Sequence, residues 1–174
     1  GLALAAWLGA GVALPSTAAE VGVTDTEIVI GMFAPLSGPL AAFGVDPLNA
    51  AKLWYDQTNQ KGGVHGPKIR VIAEDDKCSA QDVVGVVKKF VTVDKVFIIH
   101  GGSCTAPTVA AQEYVTREKV PLVMINAAGD GALFPPTRYV FGGFGGTQRA
   151  LGAVQVEFAV KQLGGDAKVR EFHA

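Results

Sequence analysis

The residues able to do chemistry are densest at His100-Gly101-Gly102-Ser103-Cys104-Thr105. A serine among glycines is close to a nucleophile elbow, but GxSxG needs Gly where Thr105 stands. Cys104 and His100 offer a thiolate pair. Residues four apart across a strand end rarely meet in hydrogen-bond geometry, so catalysis is the weaker reading. The run Glu74-Asp75-Asp76 has the composition of a metal or phosphoryl site, although such runs are more commonly solvated loops. His65 lies in a Gly turn and His173 near the end of the chain, without Cys or carboxylate partners at zinc spacing. No metal is expected there. The loop PLSGPLAAFG has no P-loop lysine, and no GxGxxG follows the first apolar run. No nucleotide cradle or other cofactor site is therefore expected. What remains is Ser103 and Thr105, two neutral hydroxyl donors in a loop of small residues.

The two cysteines, Cys78 and Cys104, are too few for a disulfide scaffold. Each follows a strand-like run, at one rim of the expected sheet. A bridge between them is one reading and two separate thiols is the other. Bridging requires Cα atoms within about 7 Å, which sequence does not give.

The remaining composition narrows the function classes. Fifteen Lys+Arg against 16 Asp+Glu give a net charge of -1, which argues against nucleic acid as the main partner. With 49% hydrophobic and 18% charged residues, the chain has enough apolar surface for a core. Residues 1–14 are apolar and uncharged, but too short to cross a bilayer. Thr17 and Ala19 fall at the -3 and -1 positions of a cut before Glu20. Residues 1–19 therefore read as the tail of a secretory signal peptide, and an exported chain can oxidise its cysteines.

The elements that must position these residues alternate along the chain. Residues 27–33, 68–73, 96–100, 121–126 and 138–141 read as strands, with one more at 168–172. The second alternates basic and apolar residues, which suits a sheet edge. Between the strands, Asp46-Pro47 reads as an N-cap and N1 pair opening a helix to residue 61. Ser79 with Asp82 opens a helix carrying an apolar stripe of Val83, Val84, Val86, Val87, Phe90 and Val91. A third helix is expected over 107–119, and Thr147 caps an amphipathic fourth to 163. Such alternation requires a doubly wound parallel sheet, an α/β fold with helices on both faces. The last strand has no following partner, so the sequence reads as a piece of a longer chain.

Doubly wound sheets bind ligands at the carboxyl ends of strands, where the winding reverses. With the second and third strands on opposite sides of the first, the crevice lies between loops 34–44 and 101–105, flanked by 127–131. These loops lead into helix N-termini, which favour anions. The site suits a small carboxylate held by Ser103 and Thr105. Phe43 is either a staple on its helix or an apolar wall of the pocket.

These features together resemble a known family. IVIGMFAPLSGPLAAFG, NQKGGVHGPKIRVIAEDD, the spacing of Cys78 and Cys104, and VPLVMINAAGDGAL occur in the order found in periplasmic substrate-binding proteins of the branched-chain amino acid (Leu/Ile/Val-binding) type. The resemblance runs from about residue 23 to 169. It implies a type I periplasmic-binding-protein lobe, three layers deep, at 20–145, with the second lobe beginning at 146–174. It implies a Cys78–Cys104 disulfide, a periplasmic location, a small-molecule solute, the membrane permease of an ABC importer as partner, a monomer, and no catalysis. Matched by motif, Phe43 is an aromatic pocket wall and Thr105 a carboxylate-binding hydroxyl. Ala128, Gly129 and Asp130 match the loop that meets the ligand's polar end. Asp130 stands where a small hydroxyl is usual in that family. It would repel a carboxylate and accept from an ammonium or hydroxyl, so the solute extends to aromatic or other organic acids. The ending VREFHA departs from the apolar strand expected there. An extracellular ligand-sensing domain of the same fold is the alternative reading. An enzyme using Cys104 is a further one, which a closed Cys78–Cys104 bridge would exclude.

Overall fold

A computed structural model of the chain describes residues 20–127, 129–142 and 147–163. The expected signal segment 1–19, Ala128, part of the expected crossing (143–146), the strand at 168–172 and His173 lie outside the described residues. In chain order the elements are β1 (Glu27–Ala34), α1 (Ala42–Gln60), β2 (Lys68–Asp75), α2 (Ala80–Thr92), β3 (Ile98–Gly101), α3 (Thr105–Glu118), β4 (Leu122–Met124), α4 (Asp130–Leu133), β5 (Val140–Phe141) and α5 (Gln148–Leu163).

All described strand pairs are parallel, in the order β2-β1-β3-β4-β5. β2 is thus an edge strand, as its alternating basic residues suggest. The chain leaves β1 to one side for β2 and returns to its other side for β3. That reversal opens a crevice at the carboxyl ends of β1 and β3, as expected of a doubly wound sheet.

β1 has both of its faces buried. Its period of two sends Val29 and Phe33 to one core and Ile30 and Met32 to the other. On the first face, Phe33, Ile99, Leu122 and Met124 pack with Val83, Val87 and Phe90 of α2 and Ala111 and Val115 of α3. On the second, Ile30 and Met32 meet Leu48 of α1. Phe33 and Phe90 are fully buried, each contributing roughly 2–3 kcal/mol.

The helix ends depart from the sequence in instructive ways. α2 is capped as read: the Ser79 hydroxyl accepts from the Asp82 N–H at 3.2 Å. Its stripe is narrower than expected, because Val84 faces solvent. α1 does not start at Asp46. The chain is already turning at Ala41, Phe43 and Gly44, whose N–H groups bond to Gly38, Leu40 and Ala41. Pro47 therefore sits inside the helix, near its start, where it removes one bond only. α3 likewise starts two residues early, at Thr105, because Pro107 is tolerated at the third position, where an N–H would be unpaired anyway. Thr147 accepts from the Ala150 N–H at 3.0 Å and caps α5 as expected. α5 is not amphipathic, however. Leu151, Val154, Val156 and Phe158 are all exposed, and Val156 lies on a different side from Leu151 and Phe158. Among the described residues no helix is long and apolar enough to cross a membrane.

Candidate functional site

The acidic run that ends β2 organises the crevice. Asp75 accepts from the Leu36 N–H at 2.8 Å, from the Lys77 N–H at 2.9 Å and from the Ser37 hydroxyl. It thereby ties the loop after β1 to the end of β2. Burial pushes its pKa up, but these donors outweigh that and hold it below the usual carboxylate range. Asp76 is fully buried, and its Oδ1 accepts from the Cys78 N–H at 2.8 Å. Burial raises its pKa, and Asp75 and Asp82 add to the rise. Glu74 pairs with Lys89 at 2.7 Å. Each acid thus has a structural role, and no group suited to a metal occurs among the described residues.

The turn held by Asp76 carries Lys77 and Cys78 at positive φ, 49° and 59°. This unusual backbone delivers Cys78 to Cys104, the N-cap of α3. The two form a disulfide with Cα atoms 5.6 Å apart. The open question about the cysteines resolves in favour of the bridge, and Cys104 has no thiolate with which to attack a substrate. Nor does His100 pair with it. His100 Nδ1 is 2.8 Å from the Tyr55 hydroxyl of α1. Burial lowers the pKa of His100 and raises that of Tyr55, so both stay neutral. The Cys104 enzyme reading is therefore overturned.

The bridge faces an open pocket of ≈ 320 Å³ lined by Leu40, Phe43, Cys78, Ser103, Cys104, Thr105 and Asn126. The pocket joins the loops after β1 and β3 to the end of β4, which is the predicted crevice. Backbone bonds fix its rim: Gly102 N–H to Phe33 O at 3.2 Å, Ile125 N–H to Gly101 O and Ala127 N–H to Gly102 O, each 2.9 Å. Gly44 sets the first turn of α1 against this rim, since a Cβ there would overlap the Pro35 carbonyl. Phe43, one residue earlier, is 59% exposed over the pocket. It lines the pocket and is not buried against its helix.

No lining side chain carries a formal charge at neutral pH. The positive end of α3 therefore sets the electrostatics. The N–H groups of Thr105 and Ala106 have no carbonyl one turn back to bond, and Pro107 has no N–H. Ser103 Oγ is buried without a hydrogen-bond partner among the described residues. Thr105 Oγ1 accepts from the Gly129 N–H at 3.3 Å, which leaves its own proton free to donate. Gly129 is pressed so closely on Thr105 that a Cβ would overlap the threonine methyl. Asp130 begins α4, and its Oδ1 is buried without a partner among the described residues. It does not line the described pocket.

The sequence reading overlooked Asn126. It lines the pocket, and its Oδ1 is also buried without a described partner. The available signal was a polar residue ending the apolar run PLVMI, at the carboxyl end of a strand. A second depression of ≈ 360 Å³, lined by Lys95, Lys119, Pro121 and Tyr139 among others, lies at the opposite ends of β3 and β4, away from these loops.

Comparison with known proteins agrees with this geometry. The profile of the periplasmic binding protein family matches residues 27–169. An amino acid binding protein of Pseudomonas aeruginosa is 32% identical over 87 residues, 50% of this chain and 23% of that protein. Leu/Ile/Val-binding protein homolog 7 of Brucella abortus is 29% identical over 121 residues, 68% of this chain and 30% of that protein. Among solved structures, the branched-chain amino acid transporter substrate binding protein LivJ of Streptococcus pneumoniae, in complex with isoleucine, superposes with a TM-score of 0.64 at 33% identity, covering 68% of this chain and 34% of that one. A solute binding protein of an ABC transporter from Rhodopseudomonas palustris, in complex with 3,4-dihydroxy benzoic acid, has a TM-score of 0.61 at 28% identity, covering 68% and 32%. The chain thus spans about a quarter to a third of the length of the relatives it matches. With its parallel sheet, its crevice at the winding reversal and a profile match over most of its length, this chain belongs to the periplasmic binding protein family.

Proposed function

We propose that this chain forms the first lobe of the solute-binding component of an ABC importer, working in the periplasm and delivering a small carboxylate-bearing solute to a membrane permease. The lobe occupies 20–145, and the second begins at 146–174. The solute's carboxylate docks at the N-terminus of α3, on the first-turn N–H groups and the hydroxyls of Ser103 and Thr105. Phe43 and Leu40 contact its apolar body. Ala128, Gly129 and Asp130 meet its other polar end. The observation that carries this reading is Ser103 Oγ: a buried hydroxyl on the pocket wall with no described partner, beside a helix N-terminus. Buried polar groups are normally paired, and a bound carboxylate would pair this one.

The test is calorimetric titration of the full-length protein with L-isoleucine and with 3,4-dihydroxybenzoate, the ligands named for two structural neighbours. Binding of at least one is expected, with affinity falling about tenfold in Ser103→Ala. Absence of binding to both, or an unchanged affinity in Ser103→Ala, would remove the cleft from this role.

A further inference from the structure

We infer that Asn126 selects the solute: it accepts a hydrogen bond from a donor group on the solute, an ammonium or hydroxyl, held apart from the carboxylate. This rests on the cleft being the solute site. Asn126 closes β4, and its backbone N–H is bonded to the Gly102 carbonyl at 3.4 Å. The loop after β3 and the end of β4 are thus held together, and the side chain is set on the pocket wall beside Ser103 and Thr105. Its Oδ1 is buried, and no described group donates to it.

The wall carries two unsatisfied buried oxygens of opposite use. The Ser103 hydroxyl can donate to a carboxylate. The Asn126 carbonyl can only accept. A purely apolar acid would satisfy the first and leave the second buried and unpaired. An unpaired buried acceptor is costly, so the penalty falls on solutes that lack a donor. Asn126 lines the described pocket and Asp130 does not, so the amide is the first acceptor the donor meets, and either donor type satisfies it.

The experiment titrates the full-length protein with two matched pairs: L-isoleucine with its deaminated acid, and 3,4-dihydroxybenzoate with benzoate. The first pair reports an ammonium donor and the second a hydroxyl donor. In wild type the donor-bearing member of at least one pair should bind about tenfold or more tightly than its partner. Asn126→Leu, similar in size, should abolish that preference, weakening the donor-bearing member and relieving the penalty on its partner. Asn126→Asp, which keeps an acceptor, should retain it. A preference that survives Asn126→Leu, an equal loss for both members, or no preference in wild type overturns the role of Asn126 while leaving the cleft intact. If none of the four compounds binds wild type, the cleft reading falls and this inference with it. Should Asn126→Leu fail to fold by circular dichroism, Asn126→Asp decides: loss of the donor preference in that variant overturns the inference, and its retention with tighter ammonium binding supports it.

Discussion

Removing both ends of the bridge, as Cys78→Ala with Cys104→Ala, should destabilise the first lobe substantially. The two residues are 26 apart in sequence. Closing a loop of that length in the unfolded chain lowers its entropy enough to be worth about 3.5 kcal/mol at 25 °C. Little of this should be offset elsewhere, since Asp76 Oδ1 already holds the Cys78 turn and the Cys104 side chain makes no capping hydrogen bond that the variant would lose. Urea unfolding of the full-length protein, followed by circular dichroism, measures the loss as a shift in midpoint at constant slope. Reduction of the wild type should reproduce the shift. A loss below about 1 kcal/mol would show that constraint of the unfolded chain is not how the bridge stabilises. The variant should also bind solute more weakly, because both cysteines line the pocket.

Further consequences follow from the buried acids, His100 and the tight contacts. Asp76 has a pKa raised by burial, so its folding contribution is full below about pH 3.9 and falls as pH rises towards the folded value. Asp76→Asn, which keeps the acceptor for Cys78, should therefore unfold at higher urea than wild type at pH 7 and at the same urea near pH 3; a lower midpoint at pH 7 would contradict the burial penalty. His100 has its pKa lowered by burial, so its contribution is full above about pH 6.5 and is lost as pH falls below that value. The wild type should lose stability between about pH 6.5 and 5 more steeply than His100→Asn, and parallel profiles would exclude a buried neutral imidazole. Gly44→Val drives a Cβ into the Pro35 carbonyl and should cost about 2–3 kcal/mol in urea unfolding. A cost under about 0.5 kcal/mol would mean the start of α1 relaxes freely. Thr105→Ala removes both the acceptor for Gly129 N–H and a donor to the solute, and should weaken binding about tenfold by calorimetry; unchanged affinity would take Thr105 out of the site.

The strands were legible because burial leaves a simple mark on sequence. The apolar runs of β1 and β3 and the alternation in β2 report how many faces each strand buries. The place of the crevice followed only from supposing that β2 and β3 flank β1, and the sheet order β2-β1-β3 agrees with that supposition. Helix starts were less legible where they depend on distant packing. Asp46-Pro47 is a good local start signal, but α1 begins four residues before it, where Gly44 permits a close approach to Pro35. Ser103 and Thr105 stood out as hydroxyls beside glycines. Asn126 did not, because a polar residue ending a strand is common and only the geometry shows that it lines the pocket with its oxygen buried and unpaired among the described residues. The acidic run looked like chemistry or a solvated loop and proved to be a set of anchors. Its partners, Leu36, Ser37 and Lys89, are distant in sequence or carry no signal of their own.

The central claim is that a solute carboxylate sits at the start of α3. The most direct test is a crystal structure of the full-length protein with whichever titrated acid binds best. The carboxylate should lie within hydrogen-bond distance of Ser103 Oγ and the Thr105 and Ala106 N–H groups, with its body against Phe43. A solute bound with its carboxylate turned away from α3, or bound outside this cleft, would contradict the account.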